Sequence, residues 1–236
     1  MGSTVVLDEA AARHMRVLRL GAGAVVGLRD GQGSIAEGQL VLLSKSLAHV
    51  EVTQVARVAP LPAVHLLVPV ADRDRMLWLA EKAAELGATS WRPVLWRRSR
   101  SVTPRGEGVN FQSKVRGRME GALAQSEGAW LPQPFPEANL ERALLAAPPG
   151  DRLVLDPAGV PLVGPGATPL REPLIVAVGP EGGIERDELE QLREAGFRSV
   201  SLGPTILRFE TAAIAALAMA RTSLGRASHI DLPEES

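Results

Sequence analysis

The stretch AVGPEGGIERDELEQL, residues 177–192, joins an apolar run to a charged helix through a glycine-rich turn. Leu174, Ile175, Val176, Ala177 and Val178 read as a buried strand. Gly179-Pro180 makes a rigid turn, because proline fixes its own φ, and Gly182 and Gly183 let a ligand come close to the backbone. Strand, glycine-rich turn and helix is a common way of holding phosphate. Glu181, in the middle of the turn, repels an anion. Neither G-x-x-x-x-G-K-[ST] nor G-x-G-x-x-G is present, so the nucleotide fingerprints are excluded.

Two further segments end strands with turn chemistry: LDPAG, residues 155–159, and LGPTILRFET, residues 202–211. Open α/β sheets bind ligands outside the carboxyl ends of their strands, so the three segments define one candidate site. A ligand with hydrogen-bond donors or positive charge suits a loop that carries a glutamate. S-adenosylmethionine (SAM) has an amine, hydroxyls, an ammonium and a sulfonium, and no phosphate. The same glycines also suit a plain, tightly packed strand–turn–helix, and the motif alone leaves both readings open. Arg208 and Glu210 flank Phe209 ahead of the last helix. With Glu181 they make an arginine and two carboxylates, a set suited to proton transfer and anion stabilisation. A surface Arg–Glu pair is the other reading of the same charges.

Working outward, the chain divides at the stiff linker APLPA, residues 59–63. Before it, AAARHMRVLRL (10–20) reads as a short helix ending at Gly21, with Arg13, Arg16 and Arg19 at three-residue spacing. A DGQG hairpin and the alternating HVEVTQVARV (49–58) make residues 1–60 a small β-rich module. After the linker, strands alternate with helices. Strands are expected at 64–70, 92–96, 152–156 and 199–203; helices at 72–87, capped by Asp72, and at 114–127, 140–147, 186–195 and 211–224. That alternation implies a mostly parallel α/β sheet covered on both faces.

With 236 residues, 45% hydrophobic and 22% charged, the composition is that of an ordinary soluble chain. The absence of cysteine excludes disulfides, Cys-based zinc sites and thiol nucleophiles, and suits a reducing cytoplasm, the expected location. No stretch is apolar enough to span a membrane, and no signal-peptide core opens the sequence. The four histidines lack metal-ligand spacing, so no metal is expected. From Trp91 to Arg118 there are eight basic residues against one acid, Glu107, which reads as a patch for a polyanion. Pairing of these arginines with acids of the C-terminal region is the alternative.

VGPEGGIERDELE together with LGPTILRFETAAIAAL resembles the signature pair of the RsmE family, SPOUT-class methyltransferases that modify N3 of one uridine in small-subunit ribosomal RNA. HMRVLRLGAG, DRMLWLAEKAAELGATSWRPVLWRRS and AQSEGAWLPQ extend the resemblance over nearly the whole chain, in order. It implies a small PUA-like β-barrel RNA-binding domain at 1–60 and a SPOUT-type α/β domain at 63–236, a parallel sheet with a C-terminal trefoil knot. It also implies a homodimer that acts on small-subunit ribosomal RNA or the assembled subunit. SAM would be held by Leu155, Gly179, Pro180, Glu181, Gly182, Gly183, Leu202, Gly203, Ile206 and Leu207. Arg208 stands where the family's arginine meets the target base, with Glu210 beside it, and Glu181 or Glu210 would take the proton from N3. Arg16, Arg19, Arg97, Arg98 and Arg100 would contact RNA. Two departures touch the RNA face: Gly128 replaces the arginine of the family's E-Q-S-G-R, and the amino-terminal segment lacks the aromatic–arginine start. A SPOUT enzyme for another RNA position, or an inactive RNA-binding or ribosome-assembly protein, are the alternatives.

Overall fold

The structure is a computed structural model, and residues 3–99 and 105–225 are described. The chain divides into two compact units between Ala59 and Pro60.

The first unit contains β1 (Thr4–Leu7), α1 (Glu9–Val17), β2 (Val25–Arg29), β3 (Ser34–Leu43) and β4 (Ala48–Arg57). Its strands form an antiparallel sheet in the order β1-β4-β3-β2. Asp30 closes the β2–β3 turn by accepting hydrogen bonds from the amides of Gln32 and Ser34, at 2.7 and 2.9 Å. Alternate residues Leu40, Val50 and Val26 face inward against Ala12 and Met15 of α1. The helix begins where Asp8 caps it and stops at Leu18, shorter than expected. Arg19 therefore lies beyond it, in a left-handed conformation at φ 56°, and does not continue the face that carries Arg13 and Arg16.

The second unit runs β5 (Val64–Pro69), α2 (Arg73–Glu85), β6 (Ser90–Leu95), α3 (Val109–Gln125), β7 (Gln133–Pro134), β8 (Ala138–Asn139), α4 (Leu140–Leu145), β9 (Asp151–Pro161), β10 (Leu174–Ala177), α5 (Arg186–Glu194), β11 (Arg198–Ser201) and α6 (Phe209–Leu224). The strand order is β11-β9-β10-β5-β6-β7, with β8 also on β6, and every pairing among these strands is parallel. Side chains alternate across the sheet because the strand period is two. Val64, Leu66, Leu174 and Val176 meet α2, α3 and α6 on one face. Leu67, Ile175 and Ala177 meet α4 and α5 on the other. Parallel strands buried on both faces explain the unbroken apolar runs.

Three expectations need correction. LDPAG does not end its strand: β9 runs on to Pro161, and residues 155–159 form the bulge between Val154, opposite Ser199, and Val160, opposite Val200. The third helix of the chain starts at Val109 rather than 114. The last helix starts at Phe209, so Glu210 lies inside its first turn and Arg208 is its N-cap residue.

His65 of β5 lies opposite Ser90 of β6, with Nδ1 and Oγ 2.8 Å apart. Burial pushes its imidazole below the ordinary histidine range. The unfolded chain therefore takes up this proton first as pH falls, and stability drops below about pH 6.5. His65→Gln is expected to lessen the fall in urea midpoint between pH 7.5 and 5.5. An equal fall in the variant removes His65 as the cause.

Candidate functional site

Because the strands are parallel, their carboxyl ends lie along one edge of the sheet. Five segments converge there: the start of α2 after β5, residues 96–99 after β6, the middle of β9, residues 178–184 after β10 and residues 202–208 after β11. The last three enclose a cavity of about 450 Å³, within the range of small-molecule sites.

All ten residues expected to hold a cofactor line this cavity: Leu155 from β9, the run Gly179 to Gly183, and Leu202, Gly203, Ile206 and Leu207. Val178, Ile184, Leu189, Val200 and Phe209 extend its apolar wall. The 178–184 loop turns back on itself, with the Gly183 amide donating to the Pro180 carbonyl at 2.8 Å. Gly183 sits at φ 80°, a conformation glycine adopts without the strain a Cβ brings. Apolar walls beside a glycine-rich loop fit an adenosyl ligand: the walls would cover its ring system, and loop backbone would meet its polar groups. Among the described residues no cluster of His, Asp or Glu is arranged to hold a metal ion.

Of the three residues expected to act on substrate, only Glu181 lines the cavity. Arg208 stands between two lining residues, Leu207 and Phe209, and its side chain is exposed. Glu210 is 7% exposed, and its Oε2 has no hydrogen-bond partner.

Arg75, on the first turn of α2, joins the two carboxylates. Its guanidinium forms an ion pair with Glu181, and its Nε lies 3.9 Å from Glu210 Oε1. The sequence reading missed this residue. Glu181 is 106 positions away, and only the parallel pairing of β5 with β10 brings α2 to the same edge as the glycine loop. Arg75 carries one local signal: it is the third residue after Asp72, whose carboxylate accepts from its amide at 3.0 Å.

The basic patch takes on a different character. Arg98 donates to both carboxylate oxygens of Glu185 and, at 3.1 Å, to the carbonyl of Gly182. The Glu185 carboxylate holds this guanidinium still more firmly protonated. Arg97 pairs with Asp187, and its amide donates to buried Glu188 at 2.9 Å. Glu188 and Glu185 form the capping box of α5. Arg97 and Arg98 thus pair with acids of the C-terminal half, the alternative weighed from sequence, and Arg98 braces the cavity loop. Arg118 pairs with Glu81 and Arg116 with Glu120. In the first unit Arg16 and Arg19 are exposed, and Arg16 donates to the Ser44 carbonyl at 2.8 Å. Arg100 lies outside the described residues.

Comparison with known proteins bears on the family and the fold. Residues 58–221 match the model of an RNA methyltransferase domain, and residues 7–53 that of an RNA methyltransferase PUA domain. The chain is 30% identical over 223 residues to the ribosomal RNA small subunit methyltransferase E of Synechocystis sp., covering 92% of this chain and 72% of that protein. It is 29% identical over 228 residues to the protein of that name from Mycobacterium bovis, covering 92% and 85%. The crystal structure of a ribosomal RNA small subunit methyltransferase E from Neisseria gonorrhoeae, bound to S-adenosyl methionine, superposes with a TM-score of 0.84 at 29% identity, covering 94% of this chain and 92% of that one.

Proposed function

Because this chain belongs to the ribosomal RNA small subunit methyltransferase E family, we propose that it is a SAM-dependent methyltransferase of small-subunit ribosomal RNA that modifies N3 of a uridine. The observation that carries the reading is that ten residues named from three separated segments line one cavity.

When bound, the cofactor supplies an electrophilic methyl group. The chain does the rest. The backbone of residues 179–183 and 202–207 would hold the polar groups of the cofactor, and Leu155, Leu202 and Ile206 would pack against its apolar parts. N3 of uridine is a poor nucleophile until its proton leaves, and that loss puts negative charge on the ring carbonyls. Arg208, exposed beside the cavity, is assigned to stabilise this charge. Glu181 or Glu210 takes the proton: Glu181 lines the cavity but shares its charge with Arg75, and Glu210 is buried in α6. Arg16, Arg19, Arg97, Arg98 and Arg100 are the proposed RNA contacts; the Arg97 and Arg98 side chains stay partly exposed beside their acidic partners. The homodimer and the C-terminal knot that the resemblance implies belong to the same proposal.

Calorimetry in the presence of EDTA tests the cofactor. SAM and S-adenosylhomocysteine are expected to bind without metal, and heat from neither, with adenine nucleotides binding instead, refutes the reading. Nucleoside mass spectrometry of ribosomal RNA incubated with protein and SAM then tests the position: methylation at any site other than uridine N3 overturns the assignment.

A further inference from the structure

We propose that Arg75 is a positioning residue that sets the glycine-rich loop by holding Glu181, and that Glu210 is the buried counter-charge that keeps Arg75 in place. The proposal rests on the cavity being a cofactor site.

Three elements meet at this guanidinium. Asp72 fixes the Arg75 backbone through the α2 cap, at 3.0 Å. The side chain, partly exposed, reaches half-exposed Glu181 on the loop after β10, and buried Glu210 on the first turn of α6. A carboxylate as buried as Glu210 is costly unless a positive group lies near it. Its Oε2 has neither solvent nor a hydrogen-bond partner, and Arg75, at 3.9 Å, is the cation paired with it. Glu210 therefore draws Arg75 toward α6, and Arg75 in turn draws Glu181.

The loop has a second brace. Arg98, from the segment after β6, hydrogen-bonds the Gly182 carbonyl at 3.1 Å. Two successive loop residues, Glu181 and Gly182, are thus each gripped by an arginine from a different element, and both line the cavity. Loop backbone is the part of a site most able to drift, and sites hold their geometry when supporting contacts lock it. Losing the Glu181 brace frees the amides that would meet the ligand. The trio also carries a net charge of −1, which suits a cationic cofactor better than a phosphate. This resolves how a glycine-rich loop accommodates a glutamate: its charge is answered from within the protein.

The test compares the wild-type protein with Arg75→Met, Arg75→Lys, Glu181→Gln, the double variant Arg75→Met/Glu181→Gln and Arg75→Met/Glu210→Gln. Each is titrated with S-adenosylhomocysteine, with Tm measured alongside. Arg75→Met is expected to weaken binding by roughly tenfold, the scale of one coupled contact. Arg75→Lys should recover part of the loss. The Arg75→Met/Glu181→Gln double variant should bind no worse than Glu181→Gln alone, because Arg75 acts through Glu181. Arg75→Met/Glu210→Gln should regain Tm without regaining affinity, since it removes an unpaired buried charge and leaves the loop unbraced. Unchanged affinity in Arg75→Met overturns the proposal. So do losses that multiply in the double variant, or affinity regained together with Tm.

Amide hydrogen exchange at Gly182 and Gly183, measured without ligand, separates failure of this inference from failure of the cofactor reading. Faster exchange in Arg75→Met is expected even if wild-type protein binds no S-adenosylhomocysteine, and unchanged exchange overturns the brace. If Arg75→Met does not fold, Glu181→Gln and Arg75→Lys are read by the same exchange, with the larger effect expected for Glu181→Gln.

Discussion

Arg208→Ala is expected to lower kcat/KM for RNA methylation by roughly 10²–10³-fold, the scale for losing one donor aimed at a developing oxyanion. Affinity for S-adenosylhomocysteine should stay near the wild-type value. Three observations support a substrate-facing role. Arg208 is the N-cap residue of α6, so its backbone is fixed by the helix start, and its carbonyl accepts from the Ala212 amide at 2.8 Å. Its neighbours Leu207 and Phe209 line the cavity while its own side chain is exposed. Among the described residues the guanidinium makes no ion pair, unlike Arg75, Arg97 and Arg98. A guanidinium at a rim, with no ion-pair partner among the described residues, is available for a reacting group. Arg208→Lys should recover little, because a point charge does not reproduce the planar fork. Equal loss of cofactor affinity and kcat/KM in Arg208→Ala would show instead that the residue holds the cofactor or the fold.

Gly159→Ala is expected to be strongly damaging to the second unit. A Cβ at this position would lie 2.5 Å from the backbone carbon of Ser199 and from the Val200 nitrogen. Both belong to β11, beside the register shift that lets β9 continue past the cavity. Backbone atoms cannot rotate away as a side chain does, so the two strands must part. Overpacking of this kind costs about 3 kcal/mol, which lowers Tm by roughly 10 °C in a chain of this size. Leu155 on β9 and Leu202 after β11 form facing parts of the cavity wall, so binding of S-adenosylhomocysteine should fall with stability. Gly196→Ala is the control: Gly196 has φ 84° and nothing within 4 Å of the added atom, so it should lose only the roughly 1 kcal/mol of an unsuitable φ. A Tm for Gly159→Ala no lower than that of Gly196→Ala rejects the steric argument.

Local chemistry was legible in the sequence by itself. Asp72 caps α2 through its own carboxylate, Gly87 and Gly196 follow helices in left-handed conformations, and the apolar runs at 64–69 and 174–177 are strands buried on both faces. Each depends on neighbours a few positions away, where propensity, capping and periodicity act. The glycine-rich turns were legible for the same reason, and the general rule for parallel sheets put them on one edge. Tertiary structure decided the rest. The strand order β11-β9-β10-β5-β6 brings Arg75, Glu181 and Glu210 together from positions far apart in the chain. It also turns Arg98 from a member of a basic run into a brace for the Gly182 carbonyl. LDPAG looked like a strand-ending turn because proline and glycine usually break strands; it is instead a bulge, and pairing with β11 resumes beyond it at Val160. A charge written in sequence has no partner until the chain is folded. Which arginines are left for RNA and which are spent on carboxylates is therefore a property of the packed sheet edge and not of the spacing of the arginines.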